Sequence, residues 1–117
     1  MSLITESEMV DGVAVVRCRG PMTFGAQTAE LHLYVKEQLE QTKNIIINLD
    51  GVPYLDSAGI GVLIGAYIST LIANGKLKLV GLSFKSRRAM ERSKLLNFFE
   101  VYKTEDDAIA AVKSTAR

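Results

Sequence analysis

Asp56 and Ser57 stand side by side, a carboxylate next to a primary hydroxyl, and small residues follow in Ala58-Gly59-Ile60-Gly61. Such a hydroxyl could attack a substrate, accept a modifying group or cap a helix. Attack requires a base within hydrogen-bond reach and a third group that orients the base. The single histidine, His32, lies far from Ser57 in the sequence, and Asp-Ser-Ala-Gly is not the Gly-x-Ser-x-Gly elbow of hydrolases. One cysteine, one histidine and scattered acids show no metal-ligand spacing, and no glycine-rich phosphate loop with its lysine is present. The expectation is a protein that is no enzyme, with no cofactor or metal of its own, which leaves a hydroxyl that accepts a modifying group or one that caps a helix. A Ser57 that only caps a helix remains the plainer alternative.

The elements that position this turn are a strand before it and a helix after it. Asn44-Ile45-Ile46-Ile47-Asn48-Leu49 is β-branched without clean alternation, the pattern of a strand covered on both faces or central in its sheet. Asp50-Gly51-Val52-Pro53 ends it. The apolar run from Ser57 to Asn74 predicts a helix, with Gly75 as its left-handed cap. Asp56 and Ser57 are both good N-cap residues, so either could cap it. In open α/β sheets, sites gather where the chain leaves the carboxyl end of a strand for a helix.

Two features of this helix call for an explanation. Glycines at 59, 61 and 65 each weaken a helix by roughly 0.5–1 kcal/mol relative to alanine, so a closely approaching backbone or partner should offset them. For Gly65, close helix packing is the simpler account. Wound at the helical period, Ile60, Leu63, Ile64, Tyr67, Ile68 and Leu71 form the expected core stripe. The opposite face carries Val62, Gly65, Ala66, Ser69 and Ala73, all uncharged. Either a neighbouring helix covers it or it is a flat docking surface.

Around this unit the chain alternates strands and helices. Met9-Val10, the Asp11-Gly12 turn and Val13 to Arg19 read as a hairpin closed by Gly20-Pro21. Leu31, Val35 and Leu39 predict an amphipathic helix over about Ala26 to Thr42. Lys76 to Val80 alternates as a strand, Ser83 could cap a helix over about Phe84 to Leu96, and Val101-Tyr102 is a short edge strand. Thr104-Glu105-Asp106-Asp107 opens a last helix through Val112, with acids where the helix dipole favours them. The fold class that follows is α/β: a mixed β-sheet, an N-terminal antiparallel hairpin and then parallel strands, with about four helices packed against it.

Composition narrows the function further. At 117 residues the chain is expected to form one domain. A net charge of +1 lacks the basic excess of a nucleic-acid binder. A lone cysteine forms no internal disulfide and suits a reducing compartment, here the cytoplasm. Met1 to Glu6 has neither the basic nor the apolar region of a signal peptide. The uncharged stretch Ala58 to Asn74 is short of the roughly 20 predominantly apolar residues of a membrane span, so no membrane association is expected.

Asp56-Ser57-Ala58-Gly59-Ile60-Gly61, after an isoleucine-rich strand and before an apolar helix, resembles the signature of STAS domains, and more narrowly that of bacterial anti-sigma-factor antagonists. The resemblance runs from about Met9 to Val112. It implies that Ser57 is phosphorylated by a partner that is both anti-sigma factor and serine kinase, and that a serine phosphatase resets it. It further implies that the unmodified form sequesters that partner, with Asp56, Ser57, Ala58, Gly59, Ile60, Gly61 and Val62 at the contact. Such proteins often carry an acidic pair, Gly-Glu-x-Asp, after the second strand. Here that stretch reads Gly20-Pro21-Met22-Thr23-Phe24-Gly25 and looks more like STAS domains attached to anion transporters. The alternative is therefore an unphosphorylated STAS subunit of a transport, lipid-handling or signalling complex.

Two further features stand apart from this turn. Cys18 shares a strand face with Ala14 and Val16 and reads as a buried apolar residue. Lys85, Arg87, Arg88, Arg92 and Lys94, broken by Glu91, are either a solvated helix face or a patch that meets acids on a partner.

Overall fold

A computed structural model describes residues 2–114. The chain runs β1 (Ile4–Val10), β2 (Val13–Arg19), α1 (Ala26–Gln38), β3 (Asn44–Gly51), α2 (Ser57–Ile72), β4 (Lys76–Val80), α3 (Phe84–Arg92), a 3-10 turn (Leu96–Phe98), β5 (Val101–Tyr102) and α4 (Glu105–Ser114). The five strands lie in the order β1-β2-β3-β4-β5, antiparallel between β1 and β2 and parallel thereafter. This is the mixed sheet and helix count that the sequence predicts. The Asp11-Gly12 turn has positive φ at both residues, 53° and 80°, as a two-residue hairpin requires.

β3 is central and covered on both faces. Ile45 and Ile47 join Ala14, Val16, Cys18, Leu77 and Leu79 in the larger core, with Leu31 and Val35 of α1, Leu63 and Ala66 of α2 and Met90 of α3. Ile46 points the other way, into a smaller core with Val13, Val15, Val80 and, from α4, Ala108 and Val112. Cys18 is 1% exposed, and burial pushes its thiol up to about 12 despite a hydrogen bond with Thr5. Arg17 of β2 ties α4 to the sheet: its Nε and Nη2 donate to the Glu105 carboxylate at 2.7 and 2.8 Å, and Asn48 Nδ2 donates to the same group at 2.6 Å.

Several details differ from the sequence reading. β1 begins at Ile4, not Met9, because an exposed acidic edge strand shows no apolar alternation to read. The helix expected to reach Leu96 ends at Arg92, where Ser93 closes it and Lys94 turns left-handed at φ 61°. The left-handed residue after α2 is Asn74, φ 62°, and not Gly75. Gly75 is needed for space, since a Cβ there would overlap the Lys43 carbonyl oxygen.

α2 is also turned on its axis relative to the expected stripe. Gly59, Ile60, Leu63, Ala66 and Thr70 are buried, whereas Ile68, Leu71 and Ile72 are exposed. Small residues let the helix approach closely, and Thr70 satisfies its hydroxyl on the Ala66 carbonyl at 2.8 Å. The face with Gly65 and Ser69 is covered by α1. His32 Nε2 lies 2.8 Å from Ser69 Oγ, and its ring sits where a Gly65 Cβ would come within 3.1 Å. A neighbouring helix thus covers the uncharged face. Among the described residues no helix is long and apolar enough to cross a membrane.

Candidate functional site

α2 opens just past the carboxyl end of β3. Its N-cap is Asp56, in extended backbone, whose Oδ1 accepts the amides of Ala58 at 2.9 Å and Gly59 at 3.1 Å. The capping task left open between Asp56 and Ser57 therefore falls to the carboxylate. Ser57 becomes the first helical residue and is exposed, and no hydrogen bond holds its hydroxyl among the described residues.

The other carboxylate oxygen reaches a second loop. Asp56 Oδ2 accepts the Phe24 amide at 3.0 Å. Burial raises the Asp56 carboxyl, but the amides of Phe24, Gly59 and Ala58 outweigh it and hold the group below its usual range. It is an anion at neutral pH. Backbone bonds run beside this clamp: Met22 N donates to Tyr54 O at 3.1 Å, Asp56 N donates to Met22 O at 3.3 Å, and Met22 and Leu55 form a parallel bridge. Gly59 packs against this segment so tightly that a Cβ would overlap the Met22 carbonyl oxygen. That contact is the backbone approach the glycine implies.

The remaining residues of the turn divide by exposure. Gly61 is exposed, and a Cβ there would meet nothing within 4 Å. Ala58 is half-buried. Ile60 is buried in the larger core, and half-buried Val62 packs against it. A partner at this turn would touch Ser57 and Gly61 directly, while Gly59 and Ile60 shape it from beneath.

Hydrolytic chemistry finds no support at the turn. His32 bonds Ser69, which lies twelve residues along α2 from Ser57, about 18 Å at the helical rise. Among the described residues no three His, Cys, Asp or Glu side chains gather as a metal site.

The sequence did not reveal the exposed aromatic residues on the two loops that meet at Asp56. Phe24 is 90% exposed and Tyr54 45% exposed. Beside Tyr54 an open hollow of about 650 Å³ is lined by Arg19, Pro21, Thr23 and Pro53 among others. The Ser83 hydroxyl that caps α3 donates to Pro53 O at 2.8 Å, which fixes the start of the basic helix against the β3–α2 loop. Arg88 lies over the exposed Phe84 ring, 5.6 Å from its centroid. The only signal available in sequence was an aromatic residue in the stretch where acids were missing.

Comparison with known proteins places this architecture. The anti-sigma F factor antagonist of Paenibacillus polymyxa is 24% identical over 114 residues, 97% of each chain. The anti-sigma-B factor antagonist of Listeria monocytogenes is 38% identical over 78 residues, 62% of this chain and 68% of that one. Among solved structures, an anti-sigma factor antagonist from Mycobacterium paratuberculosis superposes with a TM-score of 0.81 at 29% identity, covering 97% and 96% of the two chains. A sulfate transporter family protein from Wolinella succinogenes shares the fold with a TM-score of 0.72 at 24% identity, over 91% and 88%. The STAS domain family model matches residues 5–108, from the first strand into the last helix, so the Asp56–Ser57 turn and the sheet that carries it belong to a member of the STAS domain family.

Proposed function

We propose that this chain is an anti-sigma-factor antagonist, a partner-switching module controlled by phosphorylation of Ser57. The observation that carries the reading is the exposed Ser57 hydroxyl at the open end of α2, left free because Asp56 performs the capping. The Paenibacillus and Listeria relatives, both anti-sigma factor antagonists, support it. The chain is the substrate of the chemistry, not its catalyst. An anti-sigma factor that is also a serine kinase brings ATP and Mg²⁺. Ser57 Oγ bonds to the γ-phosphorus, ADP leaves, and the hydroxyl proton passes to a base of the kinase. A serine phosphatase reverses the step by hydrolysis.

Magnitudes favour a switch in binding over a switch in fold. A phosphoserine brings about −1.5 to −2 charge. At an exposed helix N-terminus the dipole favours an anion by roughly 0.3–1 kcal/mol, and the neighbouring Asp56 anion opposes it. At a protein interface, like charge or an unpaired buried anion costs on the order of several kcal/mol, and each 1.4 kcal/mol is about tenfold in affinity. The interface effect dominates, so the phosphorylated form releases its partner and stays folded.

The test is binding of wild type, Ser57→Ala and Ser57→Asp to a histidine-kinase-like ATPase of the anti-sigma-factor type, the partner class that this reading names. Wild type and the alanine variant should bind alike, and the aspartate variant at least tenfold more weakly. Equal binding by all three would overturn the switch. A second reading, an unphosphorylated STAS subunit of a transport complex, draws on the acid-free Met22-Thr23-Phe24 segment. It would be favoured by failure of that ATPase to add a phosphate to Ser57, read by intact mass.

A further inference from the structure

We propose that Phe24 is the side chain through which this protein anchors its partner, and that the partner's matching face is apolar and acidic, not basic. The inference rests on the partner-switching reading and specifies the chemistry of the partner at that site.

Phe24 is 90% exposed, so its phenyl ring finds little cover within the chain. Its backbone is nevertheless held in place. The Phe24 amide is bound by Asp56 Oδ2, and Met22, two residues earlier, is bonded in both directions to the Tyr54–Asp56 segment. A floppy exposed aromatic would lose freedom on binding; one on a pinned backbone loses less. Large aromatic side chains on preorganised backbone are what binding anchors are made of.

Charge complementarity selects the partner. The acids that would call for a basic partner group are missing from 20–25. Cations lie at this end of the sheet instead. Arg19 borders the hollow beside Tyr54, and its ion pair with Glu6 is long, 4.0 Å. Lys85, Arg87 and Arg88 are exposed on α3, whose first turn is fixed to Pro53. Against them this end of the sheet offers Glu6, at the long pair with Arg19, and Asp50, both exposed, and Asp56, already engaged by three amides. An apolar pocket for Phe24, bordered by carboxylates that reach the α3 cations, satisfies both features. Gly61, with open space over it, lets such a surface come close beside Ser57.

The experiment measures association and dissociation of the full chain against the same histidine-kinase-like ATPase by biolayer interferometry. Phe24→Ala should weaken binding at least tenfold, chiefly by faster dissociation, and Phe24→Leu should recover part of the loss. Arg87→Glu with Arg88→Glu should slow association severalfold at low salt, with the difference vanishing as salt rises. Ile72→Ala, an exposed apolar residue at the far end of α2, should bind like wild type, which separates a specific anchor from general stickiness. Unchanged thermal melting of the Phe24 variants shows that folding is not the cause. If Phe24→Ala binds within about twofold of wild type while Ser57→Asp does not bind, the anchor is refuted and the switch survives. If Ser57→Asp binds as well as wild type but Phe24→Ala does not, the anchor stands and the switch falls. Failure of wild type to bind at all overturns both.

Discussion

Gly59 of α2 and Met22 of the β2–α1 loop meet with no room for a side chain between them: a Cβ on Gly59 would overlap the Met22 carbonyl oxygen. Two crossover loops that are distant in sequence are thereby held at one turn, and the exposed hydroxyl of Ser57 is presented from it. Gly61, one helical position past Ile60, has open space where its side chain would be.

The two glycines should therefore respond oppositely to alanine. Gly59→Ala forces backbone apart and should cost about 1–3 kcal/mol of unfolding free energy. Gly61→Ala meets nothing and should stabilise by roughly 0.5–1 kcal/mol through helix propensity. Urea denaturation of the two variants reads both. A stabilised Gly61→Ala that also binds its partner more weakly would show that this glycine serves the interface and not the fold.

Asp56 should make stability depend on acid. Its carboxyl lies below the ordinary range in the folded state, since the amides of Phe24, Gly59 and Ala58 outweigh burial. The folded state then binds fewer protons than the unfolded one between the two pKa values. Its contribution is present above the unfolded carboxylate pKa and is lost as pH falls through the folded one. Asp56→Asn keeps a capping oxygen without titrating, so the gap in melting temperature between it and wild type should shrink as pH falls through that window. Asp56→Ala removes the cap and the Phe24 tether together and should cost about 1 kcal/mol or more at neutral pH.

Arg17 and Glu105 should couple measurably. The contact is bidentate, Asn48 adds a third donor, and the hydrogen bond from Arg17 holds the Glu105 carboxyl below its usual range. The Arg17 side chain is 39% exposed, so solvent screens the pair and a coupling of about 1 kcal/mol is expected rather than several. A double-mutant cycle with Arg17→Ala and Glu105→Ala at low and high salt measures it. A coupling near zero at low salt would contradict this account.

The strand–helix order was legible because each element announces itself locally. The Asp11-Gly12 turn, the isoleucines of β3 and the acids opening α4 all act within a few residues of themselves. The Asp56–Ser57 turn was legible for the same reason, as a good cap between a buried strand and an apolar helix. What stayed hidden depends on residues far apart in sequence. The rotation of α2 follows from where α1 lays His32 against Gly65, which periodicity within α2 does not contain. The Arg17–Glu105 contact joins residues 88 apart. The clamp from Asp56 to Phe24 spans 32 residues, and neither residue advertises the other.

α4 runs back along the sheet after β5, and its last turn comes to rest by the hairpin, where Lys113 Nζ lies 3.5 Å from Asp11 Oδ2. Ser57 is at the opposite end of the strands, just beyond the carboxyl terminus of β3. A surface linkage, fluorophore or fused protein joined behind α4 would thus hang from the rear of the molecule and leave the serine-bearing end pointing into solution. The same geometry lets this module be tethered without the Ser57 end being blocked.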